Sequence, residues 1–376
     1  MKVYLDNAAT TPIDPQVYET MQPYLKDGFG NPSSTHSFGR VSKSAIESAR
    51  KKVAELLNAN PGEIFFTSGG TEADNTSLSG LIRRYNIKNV ITSPIEHHAV
   101  LHTLEYFESI GLARIHFLDV DEKGNINKDQ LTDLLKEKKD NLVSLMNANN
   151  EIGNLIDLEE IGQICKEQKA LFHSDTVQSI ARYTIDLKKV NINAVLGSAH
   201  KFHGPKGIGF MYINSSTRIP PYILGGGQER DMRAGTENVH GIVGLAKAME
   251  IAYDQLSVNR KHIESLKLRM AKGLNKIIPG LKFNGLSEDI ERSLYSVLSV
   301  SLPPSDKNEM ILFQLDLKGI AASGGSACGS GALKGSHVIS ALNTDSERTT
   351  IRFSFSKFNS PEEVDYTIDK MKEILA

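Results

Sequence analysis

Residues 171–213 read LFHSDTVQSIARYTIDLKKVNINAVLGSAHKFHGPKGIGFMYI. Apolar runs of strand length lie within this stretch at residues 171–174, 194–197 and 208–213. Asp175 directly follows the first run, and Lys201 follows the second run before a Gly/Pro turn. Open α/β sheets bind ligands at the carboxyl ends of their parallel strands. We therefore expect an α/β fold with Asp175 and Lys201 at its ligand site.

The same alternation of apolar runs and amphipathic stretches extends upstream of this segment. Further strands are predicted at residues 63–67, 89–93, 114–118 and 142–146. The stretch 158–169 places Leu158, Ile161 and Cys165 on one helical face, as expected of a crossover helix. Repeated β-α-β units of this kind predict a mostly parallel sheet in a large domain.

A smaller α/β domain is predicted near the C-terminus. A long helical pattern ends near Ile278, and apolar runs then alternate with helical patterns. These runs lie at residues 296–302, 321–323 and 351–355. We expect a large domain over residues 15–255, and a small domain over residues 1–14 and 256–376 that carries a Gly/Ser-rich loop at 322–336.

Composition and charge narrow the possible function classes. Charged residues make up 23% of the 376-residue chain and the formal net charge is -2, so no polybasic surface favours nucleic acid or an anionic membrane. The opening MKVYLDNAATTP has no apolar signal core, and no run approaches the ~18 apolar residues of a membrane span. We expect a cytoplasmic protein that acts on a small molecule and binds neither nucleic acid nor membrane.

Cysteine usage favours single-thiol chemistry. The two cysteines, Cys165 and Cys328, lie far apart in different surroundings and give neither a disulfide framework nor a zinc-binding spacing. Cys165 lies on the apolar face of a predicted helix and is expected in the core. Cys328 lies in the Gly/Ser-rich loop and is the candidate for a reactive thiol.

The neighbours of Lys201 favour a nucleophilic amine over an ordinary surface lysine. Ser198, His200 and His203 accompany it at a predicted strand end. Nearby cations and partial burial lower the pKa of an amine, which allows it to form a Schiff base. Pyridoxal 5'-phosphate (PLP) is a cofactor that requires such an amine.

Three further features match what PLP requires from a protein. A carboxylate at Asp175 would keep the pyridine nitrogen protonated. Residues 65–75, FFTSGGTEADN, run from a strand through two glycines into a helix start, whose free N–H groups suit a phosphate. His97, just past another predicted strand, would stack on the ring. Each signal is common by itself, but their order along one chain is not.

Longer motifs cover nearly the whole chain. They are LDNAATTP at 5–12, GNPSSTHSFGR at 30–40, SGGTEADN at 68–75, EHHAV at 96–100, NNEIG at 149–153, HSDTVQS at 173–179, SAHKFHGPKGIG at 198–209, GGGQERDMRAGTEN at 225–238, SGGSACGSG at 323–331 and IRFS at 351–354. Together they resemble the class I cysteine desulfurases, the NifS- and IscS-like group of aminotransferase class V. The resemblance implies the type I fold of PLP-dependent transferases, with a mainly parallel seven-stranded sheet.

The resemblance also implies a role for each matching position. Lys201 would hold the cofactor, Asp175 would pair with the pyridine nitrogen and Gln178 would hydrogen-bond the ring hydroxyl. The phosphate ligands would be Gly70, Thr71, Ser198, His200 and, from the partner subunit of a homodimer, Thr236. His97 would stack on the ring and take part in catalysis. Arg352 would bind the substrate carboxylate, with Asn150 beside both cofactor and substrate.

The implied reaction removes sulfur from L-cysteine. Lys201 would move a proton from the substrate Cα, and the Cys328 thiolate would attack the substrate sulfur, leaving a persulfide and releasing alanine. Sulfur would then pass to an acceptor such as an iron–sulfur scaffold protein. The loop reads SGGSACGS at residues 323–330, with two more glycines than the usual SSGSACTS of the family.

Other functions stay open at this point. An aminotransferase or a selenocysteine lyase would share the cofactor site, which alone fixes no reaction type. Cys328 favours desulfuration, because transamination uses no loop thiol. A non-catalytic scaffold partner is a different class, and the presence of Lys201, Asp175, Arg352 and Cys328 together argues against it. No role is assigned to the other histidines near these motifs, His98, His102, His173 and His203.

Overall fold

The computed structural model describes residues 1–308, 310–324, 335–345 and 347–376. Its strands are β1 (Val3–Tyr4), β2 (Ile64–Thr67), β3 (Asn89–Thr92), β4 (Arg114–Phe117), β5 (Asn141–Ser144), β6 (Leu171–Asp175), β7 (Ala194–Ser198), β8 (Gly209–Ile213), β9 (Lys282–Phe283), β10 (Val297–Leu302), β11 (Ile320–Ala321) and β12 (Thr349–Ser354). Its α-helices are α1 (Pro15–Lys26), α2 (Ser37–Leu56), α3 (Gly70–Arg84), α4 (His98–Ser109), α5 (Lys128–Glu137), α6 (Leu158–Glu167), α7 (Val239–Asp254), α8 (Leu256–Ile277), α9 (Ile311–Leu317), α10 (His337–Ala341) and α11 (Pro361–Leu375).

A seven-stranded sheet forms the centre of the described structure, in the order β2-β8-β7-β6-β5-β3-β4. The neighbouring strands β7, β6, β5, β3 and β4 pair in parallel, whereas β8 runs antiparallel to both β7 and β2. The connection between β7 and β8 covers residues 199–208. This is shorter than the crossover of about a dozen or more residues that a parallel pair needs, so β8 is antiparallel. The predicted mainly parallel α/β fold is confirmed.

Helices cover both faces of the sheet, so both faces are buried. Successive side chains of a strand point to opposite faces. Val143 packs in the apolar cluster that α1, α2, α5, α6 and α7 form on one face. Its neighbour Leu142 belongs to the cluster on the other face, which includes residues of α3 and α4. Because helices cover both faces, we expect a ligand to bind at the carboxyl ends of the parallel strands.

The C-terminal part of the described chain has two small sheets. Strand β1 pairs in parallel with β11, and β10 lies between β9 and β12 in an antiparallel sheet. Val3 and Leu5 belong to the same apolar cluster as Met270 and Phe353. The first residues of the chain thus pack with its C-terminal part, while the division at residues 14 and 255 stays a prediction.

The sequence-based elements differ from the structure in a few places. The helical pattern before Ile278 is broken at Gln255, whose φ of -103° and ψ of 9° end α7 and start α8. Neither Gly nor Pro marks this break in the sequence.

Among the described residues, no helix is both long and apolar enough to cross a membrane.

Candidate active site

A cavity of about 320 Å³ opens at the carboxyl ends of β6 and β7. Its lining contains ten residues predicted for the site: Gly70, Thr71, His97, Asn150, Asp175, Gln178, Ser198, His200, Lys201 and Arg352. The remaining lining residues are Ala8, Ala9, Asp74, Met146 and Val177. The structure therefore brings together residues that lie up to 344 positions apart in the chain, from Ala8 to Arg352.

Lys201 lies in a single 3₁₀ turn, Ala199–Lys201, directly after β7. Its Nζ donates hydrogen bonds to the carbonyl oxygens of Ala8 and Ala9, at 2.8 and 2.7 Å. Arg182 supports the turn from behind, because its Nη2 donates to the Lys201 carbonyl at 2.7 Å. The lysine amine is thus held at the cavity wall by backbone carbonyls.

Asp175 is the last residue of β6 and is 5% exposed. Its Oδ1 accepts a hydrogen bond from the backbone N–H of Val177 at 2.9 Å. Burial raises the pKa of Asp175, and the nearby His97 and Lys201 oppose that shift. A cationic group bound beside this carboxylate would lower its pKa and stabilise the charged form.

His97 lies at the N-terminus of α4 and serves as its N-cap. Its Nδ1 accepts the backbone N–H of Ala99 at 3.1 Å, which leaves the proton of the neutral ring on Nε2. Burial lowers the pKa of His97, and the positive charge of Lys201 adds to that lowering. The ring is therefore held in one tautomer and favours the neutral form.

The N-terminus of α3 also lines the cavity, through Gly70 and Thr71. The helix begins at Gly70, and its N-cap residue Gly69 supplies no side-chain hydrogen bond. The first N–H groups of a helix lack intrahelical partners and attract anions. A Cβ on Gly70 would lie 2.9 Å from Cγ2 of Val177, so the close approach of α3 to the segment after β6 requires glycine here.

His200 lines the same region and is held by the N-terminal segment. Its Nδ1 lies 3.1 Å from Oγ1 of Thr10. Burial, together with the positive charges of Lys201 and Lys206, lowers the pKa of His200 to about 4. His200 is therefore neutral near pH 7 and can serve as a hydrogen-bonding group.

Arg352 reaches the cavity from β12 and is 1% exposed. Its Nη1 donates to the carbonyl oxygen of Asn150 and its Nη2 to Oδ1 of Asp6, both at 2.9 Å. Its buried Nε has no hydrogen-bond partner in the described structure. A buried guanidinium N–H without a partner can accommodate a further acceptor, such as a carboxylate oxygen.

One predicted residue that the structure describes, Thr236, does not line the cavity of its own chain. Thr236 is exposed in the segment before α7. Cys328 lies outside the described residues. Cys165 is buried at 1% exposure, and burial raises the pKa of its thiol to about 12, so its predicted place in the core is confirmed.

Sequence reasoning gave no role to three residues at this site, Asp6, Asp74 and Arg182. Asp74 stands four residues after Gly70 in α3, and that spacing places both on one helix face. This spacing is the signal that points to Asp74. Asp6 and Arg182 act through contacts across the fold, which local spacing does not reveal.

Comparisons with known proteins identify the family of the chain. The chain matches the model of the aminotransferase class-V family over residues 3–367. It is 41% identical over 378 residues to the cysteine desulfurase IscS of Clostridium botulinum, covering 100% of this chain and 94% of that relative. The structure of a NifS-like protein matches with a TM-score of 0.92 and 39% identity, covering 100% of this chain and 99% of the other. That of SspA in complex with cysteine matches with a TM-score of 0.83 and 30% identity, covering 96% and 100%. The chain therefore belongs to the aminotransferase class-V family, within its NifS- and IscS-like cysteine desulfurase group.

Proposed function

We propose that this protein is a PLP-dependent cysteine desulfurase that converts L-cysteine to L-alanine and retains the sulfur as a persulfide on Cys328. The observation that carries the proposal is the meeting of Lys201, Asp175 and Arg352 in one cavity. An amine, a buried carboxylate and a buried guanidinium are the groups needed to hold PLP and an amino acid together.

The residues of the cavity fit PLP. Lys201 would hold the cofactor aldehyde, Asp175 would pair with the pyridine nitrogen, Gln178 would contact the ring hydroxyl and His97 would lie against the ring. The phosphate would be bound by Gly70, Thr71, Ser198 and His200. When bound, PLP supplies an electron sink that acidifies the Cα–H of an amino acid. A cavity of about 320 Å³ is within the usual size of small-molecule sites.

Arg352 would bind the carboxylate of L-cysteine. Its unpartnered Nε supplies a free donor, and Asn150 lies against its Nη1. Asp6 already accepts from Nη2 and would orient the guanidinium from the other side. Such an arrangement would orient the substrate Cα toward Lys201, whose Nζ would accept and return the Cα proton.

Cys328 would complete the reaction. Its thiolate would attack the substrate Sγ, so that a bond between two sulfur atoms forms while the Cβ–Sγ bond breaks. Cys328 belongs to the segment between the described residues Gly324 and Gly335, and two described residues that flank this segment support such a reach. Ser323 donates from Oγ to Asp6 at 2.8 Å, and Ser336 donates from Oγ to Glu151. Asp6 contacts Arg352, and Glu151 adjoins Asn150, so both ends of the segment lie near the substrate site.

A cytoplasmic homodimer is part of this proposal, with the partner subunit's Thr236 at the phosphate. Large apolar side chains stand exposed on the single chain, among them Phe29 at 73% and Leu224 at 80%. Burying such side chains favours association of two copies. The sulfur acceptor would be a protein, such as an iron–sulfur scaffold.

The test is incubation of the purified, PLP-loaded protein with L-cysteine while alanine and sulfide are measured with and without reductant. We expect alanine in both conditions and sulfide release that depends on reductant. Lys201→Ala should abolish both the visible absorbance of the bound cofactor and the alanine. Unchanged absorbance and alanine formation in this variant would refute the proposed role of Lys201.

A further inference from the structure

A buried carboxyl–imidazole pair lies beside Asp175. Asp74 on α3 is 1% exposed and lines the cavity, and His173 on β6 is 0% exposed. Oδ1 of Asp74 lies 3.5 Å from Nε2 of His173. Neither atom has a hydrogen-bond partner in the described structure. Two buried polar atoms that face each other without partners are rare, since each costs free energy unless it is satisfied.

One proton between these atoms satisfies both of them. The other ring nitrogen of His173, Nδ1, lies 3.0 Å from Oγ of Ser144. If Nδ1 carries the ring proton, it donates to that hydroxyl and Nε2 is an acceptor. A protonated Asp74 is then the donor that Nε2 requires.

The charges around Asp74 favour its neutral form. The groups that act on it electrostatically are the carboxyls of Asp175 on β6 and Glu96 before α4. His97 and Lys201 act on Asp175 instead, and both favour its charged form. Burial and these two carboxyls raise the pKa of Asp74 well above its usual value, and burial lowers the pKa of His173 to about 3. An ion pair between Asp74 and His173 is therefore disfavoured.

We propose that Asp74 is a positioning residue of the cofactor site: as a neutral carboxylic acid it donates to Nε2 of His173 and leaves Asp175 as the anion available to the pyridine nitrogen. The inference rests on the proposed PLP-dependent function. His173 and Asp175 are two residues apart on β6, so their side chains point to the same side of the sheet. Fixing His173 therefore also fixes the end of the strand that presents Asp175.

Two substitutions separate this role from its alternatives. Asp74→Asn keeps a neutral donor of the same shape, so the amide can replace the carboxylic acid toward Nε2. Asp74→Leu keeps the volume and removes the donor. Leu78→Ala is the matched control, because Leu78 is fully buried in the same helix and does not line the cavity. It should lower the melting temperature without weakening PLP binding.

The experiment titrates the absorbance band of the bound cofactor against pH and measures PLP affinity by reconstitution of the full chain. For Asp74→Asn we expect the apparent pKa of the cofactor band to stay close to that of the wild type. The infrared spectrum of this variant should lack a carboxylic-acid band that the wild type shows. For Asp74→Leu we expect PLP affinity to fall about fivefold or more. Asp175→Asn is the positive control, since it removes the charge that we assign to the site.

A shift of about one pH unit or more in Asp74→Asn would show that Asp74 is ionised and would overturn the inference. So would an unchanged carboxylic-acid band. If Asp74→Leu does not fold, the Asp74→Asn titration still decides the question. A wild-type protein that never develops the cofactor band would instead contradict the proposed function, which keeps the two failures distinct.

Discussion

Arg352→Lys tests whether the buried guanidinium recognises the substrate carboxylate. The side chain of Arg352 is 1% exposed. Its Nη1 and Nη2 donate to Asn150 and Asp6, whereas its Nε has no hydrogen-bond partner in the described structure. A lysine keeps the positive charge but loses the planar fork that binds a carboxylate with two parallel hydrogen bonds. The variant therefore removes geometry while it retains charge.

The expected loss follows from the contacts. Hydrogen bonds between charged groups contribute about 1.5–3 kcal/mol each, which corresponds to roughly 10- to 150-fold in binding. Loss of one such contact should lower kcat/KM for L-cysteine by about that factor. Cysteamine, which lacks the carboxylate, should be a poor substrate for the wild type and should lose little more in the variant.

The assay measures alanine formation from L-cysteine and the corresponding amine from cysteamine over a range of concentrations. The cofactor absorbance and the melting temperature of each protein show whether PLP binding and folding are intact. Equal losses for the two substrates would show that Arg352 does not act through the carboxylate. A wild-type kcat/KM for L-cysteine in Arg352→Lys would refute the assignment directly.

Two further predictions concern stability. Lys169 is exposed just after α6 and adopts a φ of 54°, so Lys169→Gly should raise the free energy of unfolding by about 1 kcal/mol in urea titrations, whereas an unchanged or lower value would contradict the assignment of strain. Burial lowers the pKa of His203 to about 4, whereas a histidine in the unfolded chain has a pKa of about 6.5. Between these two pH values the unfolded chain therefore binds more protons than the folded one. Stability should fall as the pH decreases through this window, and His203→Gln should reduce the slope; an identical slope in the variant would assign the pH dependence to other groups.

The sheet and most of the site residues were predictable from local features of the sequence. Short apolar runs marked the parallel strands, and the residues after them, Asp175 and Lys201, line the cavity. The carbonyls of Ala8 and Ala9 that hold Lys201 come from the far end of the chain, and no local pattern predicts such a contact. The family resemblance supplied the remaining assignments, and the predicted domain boundaries and residue roles stay predictions.

The buried acid at position 74 shows why part of the site escaped prediction. In the sequence, only the four-residue spacing from Gly70 distinguishes Asp74 from an ordinary polar residue near the start of a helix. Its importance arises from burial at 1% exposure and from the unpartnered nitrogen of His173 opposite it. Both properties depend on how α3 packs against β6, which is a tertiary feature.

Persulfide formation on Cys328 tests the central claim most directly. The protein is exposed briefly to L-cysteine, alkylated and digested, and each cysteine-containing peptide is examined by mass spectrometry. We expect one added sulfur atom on the Cys328 peptide, none on the Cys165 peptide, and loss of the added sulfur in Cys328→Ser with cofactor binding retained. Cys165→Ser should leave sulfur transfer intact, because burial keeps that thiol protonated. Added sulfur on Cys165 alone, or undiminished sulfide release by Cys328→Ser, would contradict the proposed desulfurase mechanism.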